Sequence, residues 1–312
     1  MKKLMKLVPA FIMLLVSAIL VSTATFAWFS MNTTVTATGM EVKAVAEKGI
    51  LINEVATSNS NSWDDEATAN DTTPILLRAT STATTASWYT ASSKKSNTSA
   101  SATSGTASSD LVDGYHAVTA TAATTAAAGG TNAKRDIYYV ERNGNSSYDA
   151  GEGYYVMYTY YIKSSAEAIT CGLTSGAQNF NIKSVTATPA TNTSAALDKA
   201  LRVAVVVAGK AYIYAPVYDY ANSEAAAAYY VNAGSTATTP LNNTVAQPTS
   251  LTSIPATTDD GTPVYIYIYF EGEDANLKTD NVTTALDNID VVVKFALATN
   301  AAAVTDNGVT VG

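Results

Sequence analysis

The stretch Val264–Phe270 reads VYIYIYF and carries the plainest β-strand pattern in the sequence. Aliphatic side chains or phenylalanine alternate with tyrosines, and a period of two gives a strand two chemically different faces. The apolar face is predicted to lie in a hydrophobic core and consists of Val264, Ile266, Ile268 and Phe270. The tyrosine face suits a solvated surface, a site covered by a loop, or an interface, because tyrosine is amphipathic.

Several other segments share the strand pattern. The clearest are Asp136–Glu141, Tyr154–Lys163, Gln178–Ala187, Leu201–Val207, Ala211–Val217 and Ile289–Ala296. Two hairpins are predicted, one across the loop Arg142–Gly153 and one across Ala208-Gly209-Lys210. About eight to ten strands at this spacing predict an all-β protein, a β-sandwich or jelly roll. One or two short helices are predicted in addition, at Ser194–Arg202 and Ala221–Tyr230.

The region around 56–133 is chemically simple. Ala79–Ser109 and Thr119–Ala133 consist almost entirely of Ala, Thr, Ser and Gly. Such composition is typical of a flexible linker, or of long loops and short strands built from small residues. Apolar anchors such as Trp88 favour the second interpretation, in which this region elaborates a single sandwich domain over 49–312.

The first 27 residues have the layout of an export signal. Three lysines precede the apolar run Leu7–Val21, and small residues follow it. The favoured cleavage site has Ala27 at its −1 position and Thr25 at −3. The alternatives are cleavage after Ala24 and an uncleaved membrane anchor, since Leu7–Phe29 is long enough to span a bilayer.

A strand follows directly and is predicted within residues 28–48. Val35 and Ala37 share one face, which Val42, Ala44 and Ala46 resume after a bulge at Gly39. Trp28 and Phe29 precede this strand. If cleavage frees it, it is a candidate donor strand for the sheet edge of a neighbouring copy, and the aromatic pair would plug the far end. The alternative is an ordinary first strand within the chain's own sheet.

A signal peptide that runs into Ala27-Trp28-Phe29-Ser30 and then into a Val-x-Ala-x-Gly strand resembles the TasA/camelysin group of Gram-positive surface proteins and related "AWFS" proteins. The resemblance covers Thr25–Ala46. It implies processing by a dedicated signal peptidase, a jelly-roll domain, and assembly into extracellular matrix fibres.

Composition argues against several function classes. The net charge is −8 and only 14% of residues are charged, so a nucleic-acid partner is not expected. His116, expected in an exposed loop, is the one histidine, and Cys171, expected to be buried, is the one cysteine. No internal disulfide can therefore form, and no catalytic motif is recognisable, so the chain is not expected to be an enzyme.

Cofactors are not expected, with calcium as the single weak candidate. The oxygen-bearing residues Asn143, Asn145, Asp149 and Glu152 stand close together in a segment with three glycines. Carboxylate and amide oxygens on a loop suit calcium, although the EF-hand spacing is not met.

These observations predict a secreted structural subunit of an extracellular filament, either pilus-like or in a biofilm matrix. Its expected partners are its own copies and, during export, a signal peptidase, with membrane contact only as a precursor. The alternative is a monomeric cell-surface adhesin held by an uncleaved N-terminal anchor.

Overall fold

In a computed structural model of the chain, the residues described are 34–38, 40–47, 49–58, 63–71, 75–78, 80–82, 84–86, 88–92, 114–117, 120–126, 134–141, 148–191, 197–217, 229–232, 235–237, 247–272 and 286–311. The strands of the first half are β1 (Thr34–Thr38), β2 (Met40–Ala46), β3 (Ile50–Asn53), β4 (Glu66–Asp71), β5 (Ile75–Arg78), β6 (Tyr89–Ser92), β7 (Gly114–Ala117), β8 (Ala120–Ala126), β9 (Lys134–Glu141) and β10 (Tyr148–Ser164). The later strands are β11 (Ile169–Thr170), β12 (Gln178–Thr191), β13 (Leu201–Val207), β14 (Lys210–Tyr214), β15 (Tyr229–Asn232), β16 (Ser235–Ala237), β17 (Gln247–Thr249), β18 (Ser253–Ile254), β19 (Thr262–Phe270), β20 (Leu286–Thr299) and β21 (Val309–Thr310). A 3₁₀ helix occupies Leu197–Ala200. The fold is all-β, as predicted.

One large connected sheet folds over on itself in the manner of a sandwich. Its first half has the strand order β17-β12-β20-β2-β4, and its second half runs β3-β10-β19-β13-β14-β21. β1 and β5 join the halves, because β1 pairs with both β20 and β5 while β5 pairs with β10. Inward side chains of both halves share one core, with Val42 and Val291 on one side and Tyr158 and Ile266 on the other.

The alternation of β19 has the predicted consequence. All four residues of its apolar face are fully buried in the core. On the other face Tyr265 and Tyr267 are half-buried, whereas Tyr269 is buried. The aliphatic assignment is therefore confirmed, and the tyrosine face is covered at one end.

β13 differs from β19 because both of its faces are buried. Its sequence, Leu201–Val207, reads LRVAVVV, and all seven residues are buried. A continuous apolar run of this kind is typical of a strand that packs on both sides. The second half of the sheet is thus covered on its outer surface as well, next to Ala204 and Val206.

The predicted hairpins are present. β13 and β14 pair antiparallel through a tight turn at Ala208 and Gly209, whose φ angles are 51° and 72°. Positive φ at both central residues is the backbone of a type I′ turn, which matches the twist of the flanking strands. β9 and β10 form the other hairpin, and its loop is shorter than predicted because β10 already begins at Tyr148.

Three local predictions are corrected. The predicted helix Ser194–Arg202 is a 3₁₀ helix over 197–200, because Leu201 and Arg202 already belong to β13. Tyr229 and Tyr230, predicted to end a second helix, lie in β15, and residues 221–228 are outside the described part. His116 lies in β7 opposite Thr90 rather than in a loop. In each case strand pairing overrides the local propensity.

The Ala/Thr/Ser-rich region carries strands β4 to β8 within the ranges that are described. β4 pairs with β2, and β8 pairs with β9. Among the described residues, this region therefore contributes short strands. Residues 93–113 and 127–133 are outside them.

Candidate functional site

The residues predicted to control assembly belong to β1 and β2, and β2 lies inside the chain's own sheet. It pairs in parallel with β20 on one side, where Val42 is opposite Val291, and antiparallel with β4 on the other. Its residues alternate strictly between buried and half-buried. Val42 and Ala44 are fully buried, as their predicted face requires.

The inward side chains around β2 are mostly small. Ala44 and Ala46 on β2 pack in the same core cluster as Ala67 and Ala69 on β4. An alanine buries little apolar area, so the backbone hydrogen bonds of the two ladders hold the strand to a large extent.

Tyr160 supports β2 from the opposite half of the sheet. Its fully buried hydroxyl donates a hydrogen bond of 2.7 Å to the backbone carbonyl of Val42. Burial raises the pKa of Tyr160 well above its usual value, and the charges on Glu54 and Glu41 act in the same direction. The neutral phenol therefore persists as a hydrogen-bond donor beneath the strand.

The connection from β2 to β3 is short and is held by two backbone hydrogen bonds and an ion pair. The Glu47 N–H donates to Phe295 O at 2.9 Å, and the Ile50 N–H donates to Glu47 O at 3.2 Å. The Glu47 carboxylate is paired with Lys183 of β12. Gly49 has a φ of +99°, where other residues are strained, so it makes the turn from one half of the sheet to the other.

Of the remaining residues predicted to control assembly and cleavage, the structure describes Val35 and Ala37, which lie in β1. Val35 pairs with Leu77, and Ala37 pairs with Ile75 and Leu286. Thr25, Ala27, Trp28, Phe29 and Gly39 are outside the described residues.

A second notable feature is an aromatic cluster over the outer face of β10 and β19. The Trp88 ring stacks on Tyr155 with centroids 3.9 Å apart and meets Tyr269 edge-on at 5.0 Å. The Trp88 indole N–H donates to Thr85 O at 2.9 Å. Thr85 itself is buried and has a φ of 63°, outside the ordinary range for threonine. Residues 84–86 and 88 thus form part of a cover on the sheet.

Buried charged residues mark the point where β13 begins and β19 ends. Arg202 and Glu271 are both fully buried. The Arg202 guanidinium donates to Lys199 O at 2.6 Å and to Leu201 O at 3.0 Å, and the Glu271 N–H donates to Ala200 O at 2.9 Å. These contacts tie the 3₁₀ helix to the ends of two core strands.

Lys163 is a further buried cation. Its ammonium lies 4.0 Å from the Trp63 ring centroid and donates to Asp259 O at 3.2 Å. Desolvation lowers its pKa, while the charges on Asp260 and Asp259 oppose that shift. Trp63 also closes over Gly261, where a Cβ would lie 2.5 Å from the indole. These contacts of Trp63 and Lys163 hold the turn before β19 in place.

The structure describes two of the four calcium candidates. Asp149 and Glu152 belong to β10, and Glu152 is paired with Leu76 of β5. Asn143 and Asn145 are outside the described residues. Within the ranges that the structure describes, no group of three or more His, Cys, Asp or Glu side chains lies together.

Cys171 is buried, as predicted. Burial raises the pKa of its thiol, so the reactive thiolate is disfavoured.

Sequence reasoning did not single out Tyr160 or the contact partners of Trp88. Tyr160 sits in a run of tyrosines, and only the three-dimensional packing distinguishes it from Tyr161, which is half-buried. A signal was nonetheless present for Trp88, because a tryptophan inside an Ala/Thr/Ser-rich segment requires a partner surface.

The chain matches no protein-family model, no curated protein and no solved structure. In the described part of the chain, no helix has both the length and the apolar character needed to cross a membrane.

Proposed function

We propose that this chain is an exported structural subunit that polymerises into an extracellular filament through its N-terminal strand. The observation that carries the proposal is the position of β2. This strand lies near the start of the chain, fills a place between β20 and β4, and is joined to the next strand through the short turn at Glu47–Gly49.

A strand in such a position can be supplied by the same chain or by a neighbour. If β2 of one copy occupies the place between β20 and β4 of the next, every ladder bond and every buried side chain is reproduced. Such a contact is head-to-tail and does not close on itself, so it propagates into a fibre. Trp28 and Phe29 would then lie against the neighbour as large aromatic anchors.

Two sequence features support export and assembly. Residues 1–27 have the layout of a cleavable signal, which would free the segment before β1. The low share of charged residues, 14%, leaves little electrostatic repulsion between copies. The resemblance to TasA/camelysin-like proteins over Thr25–Ala46 points the same way.

The second candidate is a monomeric surface adhesin. One observation favours it, namely that β2 completes the sheet of its own chain. In that case the N-terminal segment would act as an anchor rather than as a donor.

Cysteine mixing separates the two functions. Lys43 and Val292 are register partners on the outer surface of β2 and β20, close enough for a disulfide across neighbouring strands. The variants Lys43→Cys and Val292→Cys are prepared separately, both with Cys171→Ala, and then mixed under assembly conditions and oxidised. Filament formation by strand exchange predicts covalent dimers between the two variants.

The matched control uses Thr186→Cys in place of Lys43→Cys, because Thr186 is opposite Val292 on the other side of β20. β12 and β20 of one chain stay paired with each other whether or not β2 is exchanged. This mixture should therefore give no cross-link between chains. If filaments are present and the mixture of Lys43→Cys with Val292→Cys also gives no covalent dimers, strand exchange is wrong. A variant that carries both Lys43→Cys and Val292→Cys is oxidised in parallel. If no filaments form and this variant cross-links only within one chain, the adhesin is favoured.

A further inference from the structure

The segment 300–311 crosses from the end of β20 to the outer edge of β14. It is fastened at its start by the Asn300 side chain, which donates to Gly172 O at 2.9 Å and to Thr174 O at 3.1 Å. It ends as β21, which pairs with β14 through Ala211 opposite Val309. We call residues 300–311 the strap.

The strap is fastened to β14 by side chains as well as by the backbone. Asp306 accepts hydrogen bonds from the Tyr212 hydroxyl at 2.6 Å and from the Gly308 N–H at 2.9 Å. The same carboxylate lies 2.5 Å from the Lys210 ammonium, and its side chain is only 6% exposed. A partly buried carboxylate with three partners is a much stronger fastening than an exposed ion pair.

Gly308 makes the close approach possible. A Cβ at this position would lie 2.5 Å from the Tyr212 ring, and two further ring or hydroxyl atoms would be within 2.8 Å. Any larger residue would push the strap away from β14. The sequence Asp306-Asn-Gly308 therefore fits the tyrosine that faces it.

Among the described residues, β14 is the last strand of more than two residues at this end of the sheet. An edge strand offers unpaired N–H and C=O groups, which form a template for pairing with another chain. β21 is only two residues long, yet it occupies that edge at Lys210 and Ala211.

We propose that the strap is an edge guard, which keeps β14 from pairing with β14 of a second copy. The second copy is the expected partner because the edge Lys210–Tyr214 offers the same main-chain groups in each molecule. Antiparallel pairing of two identical edges is symmetric and closes on itself, so opening of the strap yields dimers. This product differs from the head-to-tail filament proposed above, and the inference does not depend on that proposal.

The test is made in the full chain with the strap loosened at two points. Gly308→Ala introduces the clash with Tyr212, and Asp306→Asn removes the charge that binds Lys210. Asp65→Asn is the control, because Asp65 is exposed and the substitution has the same effect on net charge. Hydrogen exchange of β14 and the molar mass in solution are measured for each variant.

Both strap variants are expected to raise the exchange rate of β14 by tenfold or more and to shift the molar mass towards a dimer, whereas the control behaves like the parent.

Two results would overturn the proposal. If β14 stays protected from hydrogen exchange and the protein stays monomeric in both loosened variants, the strap does not prevent pairing of β14 with a second copy. If β10 and β19 lose protection together with β14, the strap is part of the core rather than a separable guard. The milder variant Tyr212→Phe, which removes one hydrogen bond and keeps the ring, makes the second result recognisable even where Gly308→Ala fails to fold.

Discussion

Trp88 offers the most quantitative test of how the outer face of the sheet is covered. In Trp88→Ala the indole that stacks on Tyr155 and meets Tyr269 is removed, together with its hydrogen bond to Thr85 O. The side chain is 6% exposed, so the loss is close to that of a core aromatic residue. Truncation of a buried tryptophan to alanine costs about 3–5 kcal/mol.

The structure allows this free-energy cost to be divided among the contacts that Trp88 makes. Each aromatic pair contributes about 0.5–1.5 kcal/mol beyond the buried area, and the indole hydrogen bond contributes about 1 kcal/mol. Trp88→Phe keeps a ring against Tyr155 and loses the hydrogen bond to Thr85, so we expect it to cost about 1–2 kcal/mol. A domain with about 5–15 kcal/mol of stability tolerates Trp88→Phe, and it tolerates Trp88→Ala above the lower end of that range.

The assay is equilibrium unfolding in urea, followed by near-ultraviolet circular dichroism, with hydrogen exchange of residues 80–88. Tyr265→Ala serves as the control, because Tyr265 lies on the same face of β19 but is half-buried. A cost below about 1 kcal/mol for Trp88→Ala, or equal costs for the alanine and phenylalanine variants, would refute the role of Trp88 as an anchor of the cover.

Three other predictions concern the core, a turn and the N-terminal segment. Ile266→Asp should prevent folding because it places an unpaired charge in the core, whereas Tyr267→Ser should leave a folded monomer in circular dichroism; equal losses would contradict the assignment of faces. Gly261→Ala should lower the free energy of unfolding by more than about 1 kcal/mol in urea titrations, because φ is +91° and Trp63 leaves no room for a Cβ. Deletion of Trp28–Thr36 removes the proposed aromatic anchors and part of β1 but leaves β2, so it should give a folded monomer that forms fewer filaments in electron microscopy; an unchanged filament yield, or a chain that unfolds, would argue against a role of this segment in strand donation.

The strands of this protein were predictable where hydrophobic period and burial coincide. Val264–Phe270 alternates strictly and was correctly oriented, and Leu201–Val207 was correctly predicted as a strand, although its burial on both faces was not. The short pieces could not be foreseen. β7 and β15 have no clear alternation, and each is a strand because another segment pairs with it, β6 in the case of β7 and the neighbouring β16 in the case of β15.

The candidate site was predictable in part for the same reason. The alternation from Val42 to Ala46 identified the inward face of β2 correctly. It carried no information about the partner strands, because parallel pairing with β20 joins segments about 250 residues apart in sequence. The support from Tyr160 and the fastening by Asp306 also depend on contacts between distant positions, which composition and period do not encode.

The small side chains of β2 suit a strand that is exchanged between copies. Ala44 and Ala46 contribute little burial energy, so the strand is held largely by backbone hydrogen bonds that any copy supplies equally. Register still has to be fixed, and the larger inward residues Met40 and Val42 do this near the start of the strand. A slip of one residue would turn Lys43 into the core, at a high desolvation cost. The carbonyl of Val42 would also leave the buried Tyr160 hydroxyl, which then lacks its acceptor. These contacts fix the strand in register and face, and under the proposed strand exchange the same strand of another copy would have to reproduce each of them.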